Sequence, residues 1–233
     1  MNIIITGATK GIGRAIALKF AEEGFNLALC ARTFSDLKTF KKELETNFPK
    51  IDVLIKKVDM SKQRQVLDFA DFVKKRWTTV DVLVNNAGVF LPGEIHKEES
   101  GVLEHQIETN LYSAYYLTRA IVPMMIEQQK GYVFNMCSVA SIMAYPNGGS
   151  YSISKFALYG FSKVLREEMK DKGVRVSSVL PGATWSNSWS GVDLPESRLM
   201  QASDVAEAIW SAYQMSPAAV VEEILLRPQL GDL

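Results

Sequence analysis

The chain has 233 residues, 47% of them hydrophobic and 22% charged, which is enough apolar matter for a sizeable core and too much for a disordered chain. Lys plus Arg and Asp plus Glu both total 26, so the basic excess that nucleic acid or an anionic membrane selects is missing. No stretch reaches the roughly 20 apolar residues of a membrane span. The first residues enter an apolar strand without a basic leader, so a cytoplasmic chain with no signal peptide is expected.

Short Val/Ile/Leu-rich runs alternate with longer amphipathic stretches. The runs predict strands at 2–6, 26–31, 52–58, 80–85, 131–138, 174–180 and 222–227. The helical patterns fall near 12–24, 34–47, 62–76, 101–129, 150–172 and 203–214. Strands that are apolar almost throughout belong to a sheet covered on both faces. Alternation with helices makes that sheet parallel, so the expected fold is α/β, a single doubly wound Rossmann domain over 1–233. Its ligand crevice lies outside the carboxyl ends of the strands. The one long irregular stretch follows the sixth strand and suits a substrate lid at about 184–203. Cys30 and Cys137 lie in apolar strand-like contexts and read as buried free thiols. His96 and His105 lack metal-ligand spacing, and no metal site is expected.

Between the first strand and the first helix runs Thr6-Gly7-Ala8-Thr9-Lys10-Gly11-Ile12-Gly13. Gly7 permits a tight turn, Gly11 a close backbone approach to a pyrophosphate, and Gly13 close helix–strand packing. The helix N-terminus that follows offers free N–H groups to phosphates. At the end of the second strand, where an NAD site carries an acid for the ribose 2′-hydroxyl, stand Ala31, Arg32 and Thr33. A guanidinium there suits a 2′-phosphate, and Lys10 can add a second cation, so NADP(H) is the expected cofactor.

Tyr151 and Lys155 are four residues apart at the start of a helix, one turn apart on one face. A lysine cation beside a phenol is expected to pull the phenol's pKa down from about 10 towards working pH, which makes an acid/base. Ser138, at the end of the fifth strand, has a hydroxyl that can hold a substrate oxygen against that phenol. Asn110 is a polar residue inside an apolar helix, where it needs a partner.

These residues resemble one family, the short-chain dehydrogenase/reductases, over nearly the whole chain. Gly7, Gly11 and Gly13 match the family's glycine motif, Asp59 its adenine-side acid, and Asn85-Asn86-Ala87-Gly88 its N-N-A-G motif. Pro181-Gly182-Ala183-Thr184 is similar to its nicotinamide-side turn, and Asn110, Ser138, Tyr151 and Lys155 match its catalytic set. The resemblance implies hydride transfer between NADP(H) and a carbonyl or alcohol carbon. In it Tyr151 protonates the oxygen, Ser138 orients it, Lys155 holds the nicotinamide ribose, and Asn110 supports a proton relay. Cofactor contacts would come from Gly7, Thr9, Lys10, Gly11, Ile12, Gly13, Arg32, Thr33, Asp59, Asn86, Ala87, Gly88, Tyr151, Lys155, Pro181, Gly182 and Thr184. A homodimer or homotetramer is implied, joined through helices 101–129 and 150–172, whose face includes Tyr115, Tyr116, Phe156 and Phe161.

For the substrate, a small-molecule carbonyl or alcohol, the tail 220–228 and the segment 189–193 look like bacterial sepiapterin reductases. Trp185 and Trp189 would stack on a pterin ring and Asp193 would bind its amino-pyrimidine edge. A 3-oxoacyl-[acyl-carrier-protein] reductase or a generic ketone/alcohol dehydrogenase is the alternative. A non-catalytic NADP-sensing protein is a reading of another class.

Overall fold

Side-chain alternation along the strands builds the architecture. In β1 (Asn2–Thr6), Ile3 and Ile5 enter one apolar cluster and Ile4 the other, and all three are fully buried. In β2 (Asn26–Ala31), Leu27 and Leu29 divide in the same way from Ala28 and Cys30. Each fully buried aliphatic side chain contributes about 1.5–3 kcal/mol of transfer free energy, so leaving either sheet face open is costly. Helices therefore cover both.

The computed structural model describes residues 1–185 and 195–231. The remaining strands are β3 (Val53–Lys57), β4 (Val82–Asn85), β5 (Gly131–Met136), β6 (Val174–Pro181) and β7 (Glu223–Leu226). All seven pair in parallel in the order β3-β2-β1-β4-β5-β6-β7. One face carries α1 (Gly11–Glu22), α2 (Phe34–Asn47) and α7 (Ala202–Gln214). The other carries α3 (Gln63–Lys74), α5 (Ser113–Glu127) and α6 (Gly149–Met169), with α4 (Val102–Ile107) leading into α5. The chain reverses its winding between β1 and β4, and a crevice opens there at the carboxyl ends. The doubly wound α/β fold is as expected.

Three elements differ most from the sequence expectation. The helix expected at 101–129 is broken by a π-helical turn at Glu108–Tyr112, in which the Ser113 N–H reaches the Glu108 carbonyl. The fifth strand stops at Met136 because Ser138 caps a short helical turn at Val139–Ser141. The fourth strand begins at Val82, since Val80 is buried ahead of the pairing and Asp81 accepts from the Asn2 N–H at 2.7 Å. On the helical face expected to join subunits, Tyr115 and Phe156 are exposed. Tyr116 and Phe161 instead lie partly buried against the core.

A chain of buried polar groups crosses the sheet under α5 and α6. Asn85 Nδ2 donates to Thr118 Oγ1 and Asn135 Oδ1, Asn135 Nδ2 donates to Ser162 Oγ, and Ser178 Oγ donates to Ser162 Oγ. Apolar packing tolerates small slides, whereas buried polar atoms left unpaired cost about 1–3 kcal/mol each. This chain therefore sets the position of α6 against β5 and β6.

Cys30 and Cys137 are both buried and free. They lie at β2 and just past β5, three strand spacings or about 14 Å apart, beyond the roughly 7 Å limit of a disulfide. Burial pushes both thiols up to about 12. Neither should react with a thiol reagent in the folded protein near pH 8, where only thiolate is reactive. Both should react once the chain is unfolded without reductant; a count below two in a monomeric sample would contradict the strand order.

Candidate active site

The crevice is one continuous cleft of about 840 Å³ across the carboxyl ends of the strands. Its floor is the turn after β1. The Thr6 hydroxyl accepts from the Asn86 and Ala87 N–H groups at 3.0 and 2.9 Å. Asn86 Nδ2 returns to the Thr6 and Gly7 carbonyls at 2.8 and 3.1 Å. Gly7 and Gly11 hold positive φ of 65° and 51°, and Gly13 packs against Gly7 and Asn86 with no room for a Cβ. The Gly7 and Ala8 N–H groups are tied to the Cys30 carbonyl at 3.0 and 3.2 Å, which fixes the loop against the end of β2. No side chain caps the start of α1. Its first-turn N–H groups therefore lack a protein cap and suit a phosphate.

Thr9, Lys10, Gly11 and Ile12 line this end of the cleft together with Arg32 and Thr33. Both cations line the cleft at this end. Lys10 also faces Asp36 at 3.5 Å, because the first turn of α2 brings that acid back over the loop. Asp59 lines the same end. Burial resists its ionisation, but hydrogen bonds from the Ser61 N–H and hydroxyl, with the charges of Lys62 and Arg32, outweigh it and hold the carboxyl below its ordinary value. The cradle fits a 2′-phosphorylated dinucleotide.

At the other end, the cleft is lined by Asn86, Ala87, Gly88, Ser138, Tyr151, Lys155, Pro181, Gly182 and Thr184. Ser138 has its hydroxyl fixed by the Ala140 N–H at 3.1 Å. Lys155 is 5% exposed, and its Nζ donates to the Met136 carbonyl at 2.7 Å. Burial lowers this lysine to about 8. Its Nζ lies 5.7 Å from the Tyr151 ring centroid. Burial raises the Tyr151 phenol, with the Ser138 hydroxyl pulling the other way. This corrects the sequence expectation of a lowered phenol. Burial is the largest influence on the phenol and outweighs the Ser138 hydrogen bond.

Asn110 stands behind the cleft in the π-helical turn. Its side-chain amide pairs with both main-chain groups of Val89, at 2.8 and 3.0 Å, and donates to Ser154 Oγ at 2.8 Å. Gly88 lies between Asn110 and Lys155, where a Cβ would come 3.2 Å from Asn110 Oδ1 and 3.5 Å from Lys155 Nζ. Trp185, expected against the substrate, does not line the described cleft. Its N–H pairs with the Met200 carbonyl at 2.7 Å, pinning the base of the expected lid. Trp189 and Asp193 lie outside the described residues.

Sequence reasoning missed Phe90, Thr109, Val139, Met143 and Tyr145, which also line the cleft. Phe90 meets the Tyr151 ring edge to face at 4.8 Å. An aromatic residue two positions past the Asn-Asn-Ala-Gly turn, in a Pro/Gly-rich loop, was the available signal. Burial pushes the Tyr145 phenol up to about 12, with Tyr151 adding to it.

Fold and cleft together define a dinucleotide-binding α/β protein with Ser138, Tyr151 and Lys155 at one end of the cleft. The sequence model of the short chain dehydrogenase family matches residues 1–194, and the chain belongs to that family. It is 34% identical over 239 residues to sepiapterin reductase of Chlorobaculum tepidum, across 99% of this chain and 97% of that protein. It is 31% identical to the NADP-dependent 3-hydroxy acid dehydrogenase YdfG of Salmonella typhi, across 90% and 88%. Among solved structures, the alcohol dehydrogenase of the archaeon Thermococcus sibiricus complexed with 5-hydroxy-NADP matches with a TM-score of 0.91 and 28% identity, covering 100% of this chain and 98% of that one.

Two substitutions test the charged rim. Asp36→Asn should tighten NADPH binding by about 2–5-fold, the scale of one exposed charge pair, since it frees Lys10 and removes a repulsion. Arg32→Ala should reduce the preference for NADPH over NADH by about tenfold or more, the scale of a charge-assisted contact. Fluorescence titration of both cofactors checks each; an Asp36→Asn variant that binds NADPH more weakly would show that Lys10 does not face the phosphate.

Proposed function

We propose that this protein is an NADP(H)-dependent reductase that converts a ketone to a secondary alcohol, with Tyr151 as the proton donor. One observation carries the reading: Ser138, Tyr151 and Lys155 converge at one end of a cleft whose other end presents Arg32 and Lys10. NADPH, when bound, supplies the hydride. The glycine loop would hold its pyrophosphate, Arg32 and Lys10 its 2′-phosphate, Asp59 its adenine, and Asn86, Ala87, Gly88 and Lys155 the nicotinamide ribose. Pro181, Gly182 and Thr184 would flank the nicotinamide. Ser138 presents a fixed hydroxyl to the carbonyl oxygen, and the phenol of Tyr151 delivers the proton to it. Asn110 holds the Val89 main chain behind Gly88 and Lys155.

The raised phenol matters for direction. An acid with a raised pKa keeps its proton at neutral pH, which suits reduction. Alcohol oxidation needs the phenolate, so its rate should climb with rising pH while reduction stays level.

For the substrate we propose a flat ketone of the pterin side-chain type. Phe90, Met143 and Tyr145 form an aromatic and thioether wall beside Tyr151, suited to a planar ring. Apart from Lys155, no Lys or Arg among the described residues lines that end, which argues against a free carboxylate substrate. The full-length similarity to a sepiapterin reductase supports the same choice, and the similarity to a hydroxy acid dehydrogenase makes 3-hydroxy acids the competing class. A homodimer or homotetramer joined at the exposed Tyr115 and Phe156 face completes the proposal.

Tyr151→Phe should lower kcat by about 10²–10⁴-fold, the contribution of a general acid, with NADPH affinity within a few-fold of wild type. Loss of NADPH absorbance with pterin, diketone and 3-oxo acid substrates provides the assay. Activity of the variant above a tenth of wild type removes Tyr151 from the mechanism, and wild-type protein that binds NADPH tightly but turns over nothing favours a sensor.

A further inference from the structure

The segment that follows the Asn-Asn-Ala-Gly turn is tied to α4 and the π-helical turn by side-chain amides. Asn110 pairs with both main-chain groups of Val89, and Gln106, fully buried one turn earlier, pairs with both main-chain groups of Leu91 at 3.2 and 3.3 Å. Between these clamps, Phe90 is held edge-on to the Tyr151 ring at 4.8 Å. Further along, the Gly93 N–H donates to the Asn147 carbonyl at 3.0 Å. Asn147 and Gly149 both hold positive φ, 60° and 36°, where the chain bends into α6.

Glu98 closes this arrangement. Its carboxylate accepts from the Ser150 N–H at 2.9 Å and from the Ser150 hydroxyl. Gly149 leaves no room for a Cβ against Glu98 and the Gly93 carbonyl. The residue at the N-terminal boundary of α6, Gly148, has no side chain to cap the helix. The first turn of a 21-residue helix is therefore capped from a distant loop. The negative charge also sits at the positive end of the helix dipole. Tyr151 is the next residue.

We infer that Glu98 is a positioning residue for Tyr151: through Ser150 it fixes the first turn of α6 and so the place of the phenol in the cleft. The inference rests on the reading of Tyr151 as proton donor. Phe90 bounds the ring from the cleft side and Glu98 holds the main chain behind it, and both belong to one strapped segment. Displacing a reacting group by about 1 Å can cost as much as 100-fold in rate, so a loosened first turn acts chiefly on turnover, since apart from Tyr151 and Lys155 the proposed cofactor contacts come from segments outside α6.

The test compares Glu98→Ala, Glu98→Gln, Ser150→Ala and Tyr151→Phe as full-length chains, with NADPH and a ketone turned over by the wild type. Glu98→Ala should lower kcat by roughly tenfold while the KM for NADPH stays within about twofold. Glu98→Gln should recover most of the rate, since its amide oxygen accepts from the Ser150 N–H and its amide nitrogen donates to the hydroxyl. If Glu98→Ala lowers Tm but keeps wild-type kcat below its melting transition, the contact only supports the fold and the inference is overturned. Should Glu98→Ala not fold, Ser150→Ala decides: a several-fold fall in kcat supports the role, and wild-type kcat overturns it. A fully active Tyr151→Phe refutes the proton-donor reading whatever Glu98 does, whereas an inactive Tyr151→Phe beside a fully active Glu98→Ala overturns this inference alone.

Discussion

Gly13 packs against Gly7 and the Asn86 side chain with no space for a methyl group, and the Thr6 hydroxyl accepts two N–H groups from the facing turn. This knot joins β1 and β4 where the winding of the sheet reverses. Two strands diverge there, and their loops would otherwise be free to fold over the opening. The knot instead ties the turns to each other. The start of α1 then points into the cleft, and the loop after β4 runs out towards α6. The glycine-loop end of the cleft and the Tyr151 end are parts of one junction.

Around that junction, polar groups position what apolar packing leaves loose. The two core clusters cover the faces of the sheet without specifying how far along it a helix sits. Asn85, Asn135, Ser162 and Ser178 specify it for α6. Asn110, Gln106 and Glu98 do the same for the loop that faces it. Buried amides and hydroxyls are costly unless paired, so each fixes one geometry.

How much of this is legible in the sequence follows from the range of each interaction. Strands and helices are legible because strands apolar on both faces demand a covered parallel sheet; the helix at 34–47 has the bounds expected of it. The cation at the end of β2 is legible because it stands at a fixed place after the glycine turn. Lys10–Asp36 is not, since only the folded path of α2 brings that acid over the loop. The direction of the Tyr151 shift is hidden for a related reason. Four-residue spacing reports that the lysine is near, but not that Lys155 is buried and Tyr151 partly so. Phe90, Gln106 and Glu98 sit in or beside a loop with no periodicity to read, and their partners are distant in sequence.

The π-helical turn at Glu108–Tyr112 has a consequence for how this helix can change. An extra residue in an ordinary helix rotates everything after it by about 100°. Held as a local bulge, it leaves the flanking turns in phase, so Leu117, Ile121 and Met125 keep facing the core whatever the bulge contains. Asn110 sits in that bulge. Asn110 and the residues that hold the helix in place are thereby mechanically separate, and deleting Asn110 itself would close the bulge without turning Leu117, Ile121 and Met125 away from the sheet.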